Sequence, residues 1–248
     1  MSKICEEEIY PKKEMKKQIL AIGGGGFTMK PENLKLDRYL LSLSEKECPK
    51  VCFIGTASGD EKGYIDSFYD SYKKLNCETS HLALYNPPEC NLRDFVLDKD
   101  IFYVGGGNTR NLLALWKEWR LDKYLKEAWL KGSVLAGISA GSICWFEQGL
   151  TDSVTGMLLP LECLGFLPES NCPHFDTEVD RRPVYHKTIL DGSMKPGIAC
   201  DDAVAAHYID GKLRYFVSSL PNAKAYKIRV IDGNIKELII DPTYLKDF

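Results

Sequence analysis

The sequence predicts an α/β fold, a mostly parallel sheet with helices on both faces. Three observations predict it. Short apolar runs alternate with amphipathic stretches from Gln18 to Gly149, the pattern of repeated strand–helix units. The runs are continuously apolar, as strands covered on both faces are. Three of them end in glycine-rich turns, at 23–26, 105–107 and 137–141, where a parallel strand reverses into a helix.

In chain order, residues 1–17 read as a polar extension carrying Lys12, Lys13, Lys16 and Lys17, without the apolar centre of a signal peptide. A strand is expected over 18–22, a helix over 34–43, a strand over 50–55, a helix near 65–75 and a strand around 80–85. A fourth strand, 100–104, runs into Gly105-Gly106-Gly107-Asn108. Helices follow at 110–119 and 123–130, then a strand at 133–137. Beyond Gly149 the pattern becomes loop-rich, holding Asp152, His174 and Asp176, with a helix over 178–190. The tail from Gly197 to Asp241 reads as four short strands, with hairpin turns at Asp210-Gly211 and Asp232-Gly233. Nothing resembles a linker or repeat, so residues 18–248 are expected to form one domain.

Composition narrows the function classes. A 248-residue chain with 44% hydrophobic and 27% charged residues is ordinary for a globular protein. A net charge of −3 offers no basic face to nucleic acid, and no apolar run approaches a membrane span. The nine cysteines are odd in number and include no C-x-x-C. Several, such as Cys52 and Cys144, lie in apolar runs. Buried thiols in a reducing, cytoplasmic compartment are expected, with no metal site.

The chemistry concentrates at Gly137-Ile138-Ser139-Ala140-Gly141. A strand, a sharp turn and a helix with serine at the apex form a nucleophile elbow, which lifts the hydroxyl above the sheet end. A serine nucleophile needs a base and an acid to orient it. Of the four histidines, His81 and His207 lie in predicted strands and His186 on a charged helix face. His174, in a loop after Pro173, is the base by elimination. For the acid, Asp152 lies just after the elbow helix, Asp201 and Asp202 end a strand on the site side, and Asp176 neighbours His174; spacing does not choose. The turn at 105–107 reads as an oxyanion hole shared with the Ala140 N–H, or as a phosphate cradle. It matches neither G-x-G-x-x-G nor a Walker motif. Asn108 beside it is a candidate substrate contact. The competing class is a non-catalytic small-molecule or phosphate-binding module, which would not require Ser139 with His174 in reach. A glutaminase would place cysteine at position 139.

Val104-Gly105-Gly106-Gly107-Asn108-Thr109, Gly137-Ile138-Ser139-Ala140-Gly141-Ser142 and Pro173-His174-Phe175, in that order, resemble the peptidase E family of serine peptidases, which includes aspartyl dipeptidase and the cyanophycinases. The resemblance covers about Ile19 to Ala205. It implies a flavodoxin-like, class I glutamine amidotransferase-like fold and no cofactor, acting on small peptides as monomer or homodimer. It implies Ser139 as nucleophile, His174 as base, Asp201 or Asp152 as acid, and the Gly107 and Ala140 N–H groups as oxyanion hole. Ile138 replaces an aromatic residue of aspartyl dipeptidase, Asp201-Asp202-Ala203 replaces its Glu-Gly, and 176–182 differ, so strict aspartyl specificity is not implied. Arg181 and Arg182 follow His174 closely and are candidates to pair with an acidic first residue.

If the compartment is reducing, thiol titration of the unfolded, unreduced protein will approach nine per chain. A stable disulfide in freshly lysed cells contradicts that location.

Overall fold

In this computed structural model, which describes residues 16–87, 89–154 and 156–248, the apolar runs become buried strands. The first half contains β1 (Gln18–Ile22), α1 (Gly26–Met29), α2 (Lys35–Ser42), β2 (Lys50–Ile54), α3 (Lys62–Tyr72), β3 (Glu78–Leu82) and α4 (Leu92–Leu97). Then come β4 (Ile101–Val104), α5 (Thr109–Glu118), α6 (Leu121–Leu130), β5 (Val134–Ile138) and α7 (Ala140–Ile143). The second half is strand-rich: β6 (Phe146–Thr151), β7 (Leu159–Glu162), β8 (Leu167–Cys172), α8 (Arg181–Leu190), β9 (Gly197–Cys200) and β10 (Val204–Ile209). It closes with β11 (Lys212–Ser218), β12 (Ala225–Ile231), β13 (Asn234–Ile240) and β14 (Thr243–Tyr244). The expected extension at 1–17 lies outside the described residues except for its last two.

The strands form two sheets. The first is ordered β14-β11-β10-β1-β5-β4-β2-β3, and from β1 through β3 every neighbouring pair is parallel. Register aligns their carboxyl ends: Ile22 opposes Ile138 and Val104 opposes Gly137. The turns at 23–26, 105–107 and 137–141 therefore share one edge. Successive residues of β1 face opposite ways. Ile19 and Ala21 join a core with Trp116, Trp129 and Trp145, while Leu20 and Ile22 join one with Phe27, Phe53, Phe68, Tyr72 and Tyr103. Burying each such large side chain contributes about 1.5–3 kcal/mol. Phe27 centres the second core, 5.0 Å from Tyr103 and 5.6 Å from Tyr72 between ring centroids.

The second sheet, ordered β13-β12-β9-β8-β6-β7, departs from the single sheet expected. The elbow helix ends after one turn, and the apolar run through Trp145 and Phe146 enters β6 instead of prolonging it. Close packing enforces this path. A Cβ on Gly149 of β6 would fall 2.0 Å from Ile143 Cγ2 of α7. The stretch expected to be loop-rich supplies β7 and β8, whose buried polar residues are paired, as in Asn171 Nδ2 donating to Ser142 Oγ at 2.6 Å. Chain 197–240 makes five strands, not four. Both Asp-Gly turns have positive φ at each residue, 52° and 73° at 210–211 and 51° and 73° at 232–233, the type I′ geometry that matches strand twist. No helix among the described residues is long and apolar enough to cross a membrane. Cys5 lies outside the described residues, and the other cysteines are free thiols.

One buried carboxyl anchors α1. Asp37 is 1% exposed; its Oδ2 accepts the Phe27 N–H at 3.1 Å and its Oδ1 the Tyr72 hydroxyl at 3.1 Å. Burial pushes this carboxyl from 3.8 up to about 6, against those two hydrogen bonds, which lower it. Between these values the folded chain holds more protons than the unfolded one, so this group's contribution to stability is full at low pH and is lost as pH rises through about 6. Asp37→Asn removes that slope. In urea unfolding from about pH 4 to about pH 7 the variant is expected to gain on wild type by up to about 3 kcal/mol. Parallel stability curves would show that Asp37 does not titrate in this range.

Candidate active site

Strand β5 delivers Ser139 to the sheet edge in a strained backbone conformation, φ 55° and ψ −117°. Such a conformation costs about 1–3 kcal/mol and persists only where the surroundings impose it. Here the Ser139 N–H donates to Ile22 O at 3.2 Å, and Ser139 O accepts the N–H groups of Ser142 and Ile143 at 2.9 Å each. Backbone approaches too close for a side chain explain the flanking glycines. A Cβ on Gly137 would lie 2.2 Å from Gly141 O, and one on Gly141 would lie 2.3 Å from Val104 O.

His174 follows β8 at φ 53°, and its chain is pinned by the Phe175 N–H donating to Cys200 O at 3.1 Å. Its Nδ1 is 2.7 Å from Asp202 Oδ1, with the two side chains 12% and 15% exposed. Gly24, just after β1, makes the room: a Cβ there would sit 1.9 Å from Asp202 Oδ1 and 3.0 Å from His174 Nδ1. Burial by itself would raise the Asp202 carboxyl. The hydrogen bond and charge of His174 outweigh that and hold it below the usual carboxylate range. With Asp202 ionised, Nδ1 carries the proton and donates, which leaves the lone pair on Nε2. Nε2 and the Ser139 hydroxyl each have no hydrogen-bond partner among the described residues. Both residues stand at the carboxyl end of β1, Ser139 bonded to Ile22 and His174 packed on Gly24. Bonds between such groups often close only when substrate binds.

The turn at 105–107 lies against the serine, since a Cβ on Gly106 would be 3.2 Å from Ser139 Cβ. Gly107 has φ 134°, and a Cβ there would collide with Ala57 O at 2.2 Å. The N–H groups of Gly107 and Ala140 have no backbone acceptor among the described residues.

Three sequence-predicted acids are not on the histidine: Asp176, Asp152 and Asp201, of which Asp176 instead accepts the Asp202 N–H through Oδ1 at 2.8 Å. Asp152 is exposed beyond β6, and its carbonyl accepts the Gly156 N–H at 3.0 Å. Asp201 is 5% exposed and faces away from His174; its Oδ2 accepts the Lys224 N–H at 2.8 Å and the Tyr226 hydroxyl at 3.4 Å. Burial pushes the Asp201 carboxyl up to about 6. The reason is strand alternation: Asp201 shares the Tyr226 face with Ala199, and Asp202 takes the other. Alternation from β9 was the available signal, but the face occupied by the histidine was not readable from it. Arg181 is not free to bind substrate. It is 4% exposed, and its guanidinium donates to Glu178 Oε2 at 2.7 Å and Leu150 O at 3.0 Å. Arg182 is 41% exposed, stacks 4.7 Å over both Phe175 and Tyr226, and donates to Glu237 at 3.3 Å. Asn108 caps α5, its Oδ1 accepting the Asn111 N–H at 2.8 Å while its Nδ2 donates to Ser153 O at 3.2 Å; both ends of its amide serve the fold.

The family model for peptidase family S51 matches residues 19–216. The chain is 53% identical over 229 residues to the uncharacterized peptidase YgaJ of Bacillus subtilis (strain 168), covering 92% of this chain and 99% of that protein. Among solved structures, a peptidase from an acI-B1 Actinobacterium superposes with a TM-score of 0.70 at 20% identity, covering 92% of this chain and 98% of its own. A candidate peptidase E protein from Listeria monocytogenes EGD-e superposes with a TM-score of 0.60 at 17% identity, covering 80% and 97%. These two likenesses are of fold.

The His174–Asp202 pair has a spectroscopic signature. A downfield Nδ1 proton is expected in the imidazole spectrum of the wild type and of Asp201→Asn, and is expected to vanish in Asp202→Asn and Gly24→Ala. Its loss in Asp201→Asn alone would assign the pair wrongly.

Proposed function

The chain belongs to peptidase family S51 and is a serine-type peptide-bond hydrolase, and from that premise we propose that Ser139, His174 and Asp202 form its catalytic triad. The observation that carries this reading is the 2.7 Å His174–Asp202 bond in a niche that only glycine at position 24 allows, at the same sheet edge as the strained Ser139. His174 Nε2 takes the Ser139 hydroxyl proton as Oγ attacks the scissile carbonyl carbon. The carbonyl oxygen becomes an oxyanion that accepts from the Gly107 and Ala140 N–H groups. The tetrahedral adduct collapses as the imidazolium returns its proton to the leaving amine. Water then repeats the sequence on the acyl-enzyme. Asp202 holds the tautomer and stabilises the imidazolium.

The substrate is a small peptide cut at its free N-terminal end, with an acidic first residue preferred. Support for the exopeptidase part is the motif resemblance to aspartyl dipeptidase and cyanophycinase. Support for the acidic part is Arg182, whose half-exposed guanidinium lies 4.7 Å over Phe175, the residue after His174, and already pairs with one carboxylate, Glu237 at 3.3 Å. A guanidinium so placed can take a substrate carboxylate in the same way.

Ser139→Ala is expected to lower kcat by roughly 10⁴-fold or more while remaining folded. Asp202→Asn is expected to lower it by about 10²-fold to 10⁴-fold, and Asp201→Asn by less than about tenfold. A folded Ser139→Ala protein with near-wild-type turnover sinks the triad. In a dipeptide panel varied at the first residue, Arg182→Ala is expected to erase a preference for Asp. Equal rates for neutral and acidic first residues in the wild type would discard that preference.

A further inference from the structure

Tyr64 lies outside the triad, yet its hydroxyl contacts both the 105–107 turn beside the serine and α1, which follows the 23–26 turn. It is held at the start of α3, where Glu61 accepts the N–H of Gly63 at 2.7 Å and of Tyr64 at 2.6 Å. Its ring packs 4.9 Å from Phe53 and 5.9 Å from Phe27 between centroids. The same ring, together with Phe53, crowds residue 105, where a Cβ would lie 2.9 Å from Tyr64 Cε1 and 3.1 Å from Phe53 Cζ. The phenol oxygen accepts the Gly106 N–H at 3.2 Å and lies 3.1 Å from Thr28 Oγ1. Having accepted from Gly106, the phenol keeps its proton and a second lone pair, so either hydroxyl can donate in the Thr28 contact. Thr28 belongs to α1, directly beyond the turn whose Gly24 admits the His174–Asp202 pair. Burial raises the phenol above its ordinary pKa and keeps it neutral.

We propose that Tyr64 is a positioning residue that presets the oxyanion-binding turn. This rests on the reading of Ser139 as nucleophile. Three consecutive glycines, 105–107, have no side chains to fix their peptide planes. The Tyr64 hydroxyl fixes one of them by engaging Gly106 N–H, and so sets the direction of the next donor, Gly107 N–H. Gly106 is thereby withheld from the substrate. A donor preset toward the oxyanion acts in the transition state more than in the ground state.

Tyr64→Phe keeps the ring and removes the hydroxyl. It is expected to lower kcat by about tenfold to a hundredfold with KM changed less than about twofold. Affinity for a peptide aldehyde, which adds Ser139 Oγ to its carbonyl and places an oxygen in the turn, is expected to fall by the same factor. Affinity for the matching peptide alcohol, which cannot add, is expected to stay constant. Thr28→Val leaves the Gly106 bond and is expected to keep kcat within about threefold. Wild-type kcat in Tyr64→Phe, a change confined to KM, or equal weakening of aldehyde and alcohol overturns the proposal. Labelling by a fluorophosphonate keeps the two readings apart. If Ser139→Ala still reacts, the triad fails; if only Ser139 reacts and Tyr64→Phe turns over normally, Tyr64 alone fails.

Discussion

Backbone passing backbone more closely than a Cβ permits is the constraint on which the rest of this molecule depends. Gly137 lies against Gly141, Gly141 against the carbonyl of Val104, and Gly107 against the carbonyl of Ala57, all at distances a methyl group could not share. These contacts press α7 onto β5 and β4 and leave Ser139 its strained conformation. Gly24 extends the constraint from the sheet to the side chains, because the space its missing Cβ leaves is filled by Asp202 and His174. The glycines are thus spatial necessities, and the free energy that holds Ser139 in strain comes from the apolar cores on both faces of the sheet.

The site is assembled from both sheets. Ser139 follows β5 of the first, whereas His174 follows β8 and Asp202 follows β9 of the second. The chain crosses between the sheets at Asp201–Ala203, where β9 gives way to β10, and the Ala203 N–H donates to Gly24 O at 2.8 Å. Relative placement of Ser139 and His174 therefore depends on how the two sheets meet. The bond from Phe175 N–H to Cys200 O keeps the loops after β8 and β9 together at that junction.

Adjacent aspartates at the junction have opposite electrostatic fates. Asp202 meets the histidine and stays ionised more readily than an ordinary carboxyl. Asp201 is pushed the other way by burial, and its Oδ1 has no partner among the described residues. One turns its charge to the site, while the other ties the start of β12 through Lys224 and Tyr226. Nearby, Arg181 spends its guanidinium on Glu178 and Leu150, so of two neighbouring arginines only Arg182 faces solvent to any degree.

The sequence by itself determined the parallel half of the molecule. Continuous apolar runs and glycine turns mark β1, β2, β4 and β5, and local sterics alone require Ser139 to head its turn. Elimination among the histidines singled out His174 as the expected base, because a loop position is a local property. What local reasoning lacked was everything set by side-chain direction across long separations. Asp201 and Asp202 are neighbours with the same chemistry; only the packing of β9 against β12 decides which one faces the histidine. Asn108 and Arg181 are polar and near the motifs, and only the folded chain reveals that their hydrogen bonds are already taken. The second sheet was hidden for the same reason: β6, β7 and β8 are short and rich in polar residues, and β6, β8 and β9 pair across gaps in sequence that no local pattern records. Tertiary structure decided these points because hydrogen-bond partners and sheet faces are properties of assembled elements and not of the residues that enter them.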